Sequence, residues 1–254
     1  MTGKLTASKR AACAALLAVV AMGAAAPSHA GPADRLRDSL FRKPGDKVAG
    51  PPVARFVSEE GRVFILDRTQ PIPMLKFEDS PEVWALAPSP APRGDVIYRD
   101  ELGEPVLRAT RLGGLTLFTN SRPNGEAVSL AGGGAPLRLT PISPQALGER
   151  LLQASYRTGR VARRTIVFEA RNVTPAGSAL IGDAALVTSV AFAQMAERRD
   201  GRTALSQFST VRFEEGKTPS VSLNDRVLRI VVAPAYGLAG RPSSKRIIRI
   251  ATER

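Results

Sequence analysis

Proline, glycine and acidic turn residues interrupt the sequence between Val53 and Thr140 every few residues, leaving room for short strands but for no helix of ordinary length. Residues 53–57 alternate, Glu59-Glu60-Gly61 turns, and residues 62–67 return, which is the pattern of a hairpin. Residues 96–98 and 106–109 read as strands on either side of the acidic turn Asp100-Glu101-Leu102-Gly103-Glu104. Leu115-Thr116-Leu117-Phe118 reads as a further strand, and Trp84 lies beside an expected sheet edge. Gly113-Gly114 and Gly132-Gly133-Gly134 read as turns or loops; neither is followed by the lysine and hydroxyl residue of a phosphate-binding loop. Pro88, Pro90 and Pro92 each lack a backbone donor, so residues 88–94 are expected to form a rigid surface connector.

The periodicity changes after Pro141. Ser143-Pro144 has the form of a helix start, a capping hydroxyl followed by a proline, and Leu147, Leu151 and Ala154 then recur at helical spacing to give an amphipathic helix. Leu180, Ala184, Val187 and Ala191 define a second helix over 180–196, apolar nearly all round and therefore expected to be buried against a sheet. Residues 165–168, 208–214, 227–232 and 247–250 read as strands. The expected fold class is α+β: mostly antiparallel strands, one long buried helix and one amphipathic helix. The expected organisation is a leader over 1–30, a tether over 31–52, a β-rich region over 53–140 and an α+β region over 141–254, the last two forming one domain or two.

The leader rests on Lys4, Lys9 and Arg10, the apolar run at 11–22 and the triplet Ser28-His29-Ala30, whose small outer residues suit cleavage after Ala30 by a signal peptidase. The apolar run falls short of the roughly 20 residues of a permanent span, and no transmembrane span is expected after it. Export to a periplasm or beyond follows. Cleavage also removes the one cysteine, Cys13, and the one histidine, His29. Without imidazole or thiolate, the remaining chain lacks the usual parts of a Ser-His-Asp triad, a Cys-His pair or a zinc site, so no metal and no cofactor is expected.

What remains is carboxylate, hydroxyl, lysine and arginine chemistry. The chain carries a formal charge of +13, which attracts anions, although an arginine excess also follows from a GC-rich coding sequence. Two basic groups are candidates for anion binding: Arg157, Arg160, Arg163 and Arg164 after the first helix, and Arg241, Lys245, Arg246 and Arg249 near the C-terminus. The expected partner is an anionic envelope polymer, a lipid surface or an acidic protein, rather than nucleic acid. Glu78 and Glu82 stand as alternative catalytic candidates for hydrolysis of an envelope glycan, a reaction that needs two carboxylates flanking one bond. A structural accessory role is the third reading.

The segments Pro51-Pro52-Val53-Ala54-Arg55-Phe56, Leu75-Lys76-Phe77-Glu78-Asp79-Ser80-Pro81-Glu82-Val83-Trp84 and Arg111-Leu112-Gly113-Gly114-Leu115-Thr116 resemble a family of uncharacterised exported proteins from alphaproteobacteria. That resemblance implies export and an envelope location, and it brings no activity or catalytic residue with it.

Overall fold

The computed structural model describes residues 51–252. The expected leader, and the tether up to residue 50, lie outside the described residues. Nine short strands form the first sheet: β1 (Val53–Ser58), β2 (Val63–Asp67), β3 (Met74–Phe77), β4 (Val83–Ala85), β5 (Ala87–Pro90), β6 (Val96–Arg99), β7 (Pro105–Ala109), β8 (Leu115–Leu117) and β9 (Glu126–Gly133). Their hydrogen-bonded order is β4-β3-β2-β1-β9-β8-β7-β6-β5. The two end strands are separated in the chain by Leu86 alone, a fully buried residue. One bent segment therefore pairs with β3 by its first half and with β6 by its second, and the sheet must curl round until its ends meet. The result is a near-closed, up-and-down antiparallel barrel.

A barrel of about this strand number has an interior that side chains just fill. Phe56, Phe64 and Phe77 occupy matching register positions on β1, β2 and β3. Their rings, with that of Trp84, form a row at centroid spacings of 5.5, 5.8 and 5.6 Å. Each fully buried ring of this kind contributes about 1.5–3 kcal/mol by leaving water.

Two readings of this region are corrected. Residues 87–90 form a strand although Pro88 and Pro90 lie in it. The prolines are two apart, so their missing donors face the same way, and a strand hydrogen-bonded to β6 along one side tolerates them on its other side. Gly132 and Gly133 belong to β9, where they pair with Arg55 and Ala54. The register shifts between Arg55 and Phe56, and Gly132 takes up that bulge with a φ of 146°.

The second half carries α1 (Pro144–Ala162), β10 (Val167–Arg171), α2 (Pro175–Glu197), α3 (Gly201–Leu205), β11 (Thr210–Glu215), β12 (Ser220–Asn224), β13 (Val227–Val232) and α4 (Ser244–Thr252). Ser143 caps α1 as its sequence suggests, its hydroxyl accepting from the Ala146 amide at 3.2 Å. The sheet order is β10-β11-β13-β12. The β10–β11 and β11–β13 ladders are parallel, and only β12–β13 is antiparallel. Parallel pairing needs a long crossover, which α2 and α3 supply between β10 and β11.

α2 has the length and composition of a membrane span, yet 72% of its most apolar window is buried inside the molecule. Leu180, Ala184, Val187, Ala191 and Phe192 join a core with Val211, Phe213, Leu228 and Ile230 of the sheet and Ile247 and Ile248 of α4. Neighbours on several sides account for its lack of a polar face.

α4 replaces the strand expected at 247–250. Adjacent Ile247 and Ile248 are both buried, which strand alternation forbids, and Ala251 continues the same helical face. The Ser243 hydroxyl accepts from the Arg246 amide at 3.2 Å, so the helix also has its cap.

Candidate anion-binding cleft

The two basic groups singled out by sequence have different surroundings. Arg241 is 2% exposed at its side chain. Its guanidinium donates to Asp183 of α2 and, at 2.8 Å, to the Val83 carbonyl of β4. Lys245 places its ammonium 2.7 Å from Asp100 and 2.6 Å from Glu104, with the Trp84 ring 5.1 Å away. Burial pulls the Lys245 pKa down, but the hydrogen bonds and charges of those two carboxylates outweigh it and hold the pKa above the usual lysine range. Arg246 pairs with Glu101 at 2.6 Å. The acidic turn of the barrel and the basic start of α4 thus neutralise one another inside the molecule. Arg249 is exposed in the last turn of α4.

Glu82 belongs to the same junction. Its carboxylate, 2% exposed, accepts from the Ser244 amide at 2.9 Å and also from the Ser244 hydroxyl. The pocket beside it measures about 40 Å³, room for water and not for a sugar ring. Glu78 does not line that pocket; it pairs with Arg55 at 2.6 Å on the surface.

The other basic group leads to a larger feature. A cleft of about 430 Å³ opens between α1, α2 and the connector after β9. Arg150 and Arg157 come from α1, seven residues apart and so on one helical face, with Gln153 between them. α2 forms the facing wall through Gly182, Asp183, Leu186 and Ser189, and the connector adds Arg138, Leu139 and Thr140. Arg150 lies directly over Gly182, whose lack of a side chain leaves the space for it. Asp183 is the one carboxylate among these lining residues, and Arg241 already engages it.

The sequence matches the family described as a domain of unknown function, DUF4908, over residues 35–251. The chain belongs to this family. No curated protein and no solved structure matches it. The match runs through the barrel, the cleft and α4 alike.

In this DUF4908 chain the first basic group divides. Arg157 lines the cleft, whereas Arg160, Arg163 and Arg164 do not. Arg160 is exposed, and Arg163 closes α1 in the left-handed conformation with a φ of 53°. Arg164 donates to the Ser206 carbonyl after α3. Arg138 and Arg150 join Arg157 instead, and sequence reasoning passed over both. For Arg150 the signal was its heptad relation to Arg157; for Arg138 there was none, because its place depends on where the chain leaves the barrel.

Arg138 donates to the Thr69 hydroxyl at 3.3 Å. Among the described residues, neither Arg150 nor Arg157 forms a salt bridge. Two guanidinium groups without a salt bridge and a third nearby, gathered in one cleft, focus a positive potential where an oxyanion can be bound bidentately. Gln153, Thr140 and Ser189 supply neutral hydrogen-bonding groups along the same surface.

Proposed function

We propose that this DUF4908 protein is a noncatalytic, exported envelope protein that holds an anionic polymer through Arg138, Arg150 and Arg157. The observation that carries the reading is the arginine cleft itself: its single lining carboxylate is already paired with Arg241, while Arg150 and Arg157 have no salt bridge among the described residues. Support for export comes from the basic, apolar and small-residue zones of residues 1–30, and from the resemblance to exported alphaproteobacterial proteins. An envelope glycan bearing carboxylate or phosphate groups offers the paired anionic oxygens that guanidinium forks bind.

Retention on immobilised dextran sulfate, with neutral dextran as the reference, tests this reading. Wild-type protein is expected to bind the charged matrix and to elute with salt, and R150Q/R157Q is expected to elute at markedly lower salt. Equal elution of the two proteins would remove the cleft from the account.

A further inference from the structure

The up-and-down path sends successive connections to opposite ends of the barrel, and the two ends differ in how their charges are paired. At the end that meets α4, the turns at 59–62, 78–82 and 100–104 carry Glu60, Asp79, Glu101 and Glu104, each paired with a basic side chain: Arg122, Arg62, Arg246 and Lys245 respectively. The opposite end is built from the connections at 68–73, 91–95 and 110–114. Its two aspartates are turned inward. Asp67, fully buried where β2 ends, accepts from the Thr69 and Leu137 amides at 2.8 Å each. Asp95 accepts from Arg108 at 2.8 Å.

What this end shows to solvent is cationic and apolar. Arg93 and Arg111 are exposed, and neither forms a salt bridge among the described residues. Leu112, at the tip of the β7–β8 hairpin, is 95% exposed. The backbone presents these residues together. Arg93 and Gly94 both have positive φ, 65° and 78°, and a Cβ on Gly94 would stand 3.6 Å from the Arg111 Cδ, so the two turns touch. A protruding leucine beside two exposed guanidinium groups is not a groove for a rigid partner. It matches a soft surface with negative charge outside and hydrocarbon beneath, which rewards basic side chains and an apolar tip together.

We propose that this end of the barrel docks on an anionic lipid bilayer, with Leu112 entering the boundary between headgroups and acyl chains while Arg93 and Arg111 meet the lipid phosphates. The site shares no residue with the arginine cleft and goes beyond the polymer-binding reading, which stands or falls on its own residues.

The test uses the full chain carrying L112W, with the wild-type emission of Trp84 as reference, and vesicles of phosphatidylglycerol or of phosphatidylcholine alone. With phosphatidylglycerol vesicles the added emission of the variant shifts to the blue and is quenched by brominated acyl chains; with phosphatidylcholine it does neither. Adding R93Q and R111Q weakens vesicle affinity about tenfold or more, as expected for two basic residues near such a surface. The residue 1–30 segment is common to all these proteins, and quenching at position 112 reports the tip alone. Emission from L112W that is indifferent to phosphatidylglycerol vesicles, or affinity unchanged by R93Q/R111Q, would overturn the proposal.

Discussion

Arg150 of α1 lies across Gly182 of α2, so closely that a Cβ at residue 182 would stand 3.0 Å from the arginine Cδ and 3.1 Å from Ile142 Cδ1. G182A therefore has two opposed effects on stability. It gains up to about 1 kcal/mol of helix propensity and loses part of that in shifting two side-chain ends. The melting temperature is expected to stay within a few degrees of wild type, while affinity for dextran sulfate falls because Arg150 is pushed aside. A melt and a binding curve on the same sample check both statements.

Arg241 ties α2 to the barrel edge, and its removal leaves Asp183 and the Val83 carbonyl without their donor. R241A is expected to destabilise the fold by about 3–5 kcal/mol, since Asp183 loses its guanidinium in a largely enclosed site. R229Q offers the contrast. Arg229 pairs with Glu214 on the open face of the second sheet, with its side chain 54% exposed, and a pair of that kind contributes about 0–1 kcal/mol. Urea unfolding of the two variants measures the difference.

Acid is expected to weaken the protein through Asp67 and Asp95. Burial pushes the Asp67 carboxyl up, but hydrogen bonds from Thr69 and Leu137 and the charge of Arg138 outweigh it, and the net shift is downward. The Arg108 hydrogen bond lowers Asp95, against an opposing effect of burial. A carboxylate whose folded pKa is depressed stabilises the fold above its unfolded value, about 3.9, and loses that contribution as pH falls through the folded value. Stability from these groups is thus expected to be flat above about pH 5 and to decline below about pH 4. The gap between wild type and D67N in urea midpoint should narrow between pH 7 and pH 3; a constant gap would contradict the assignment.

The strands of the barrel were legible because alternation and turn chemistry are local, as at the Asp100–Glu104 turn, and the same holds for the Ser143 cap and the all-apolar face of α2. The strand through Pro88 and Pro90 was not, because proline is tolerated there only by virtue of which side β6 occupies. The α4 helix was misread because three isoleucines in four residues resemble a strand until Ala251 and the Ser243 cap are counted. The fate of the charges was the least legible. Arg241 and Asp183 are 58 residues apart, and Lys245 lies 145 residues from Asp100, so the sequence shows an excess of arginine without showing which arginines are already neutralised.

Arginine-specific labelling with phenylglyoxal, read residue by residue by mass spectrometry with and without dextran sulfate, tests polymer binding at the cleft most directly. Labelling of Arg150 and Arg157 is expected to fall when the polymer is present, while that of Arg171, exposed on the β10 edge strand, stays unchanged. Undiminished labelling of Arg150 and Arg157 under conditions where the polymer is bound would contradict it.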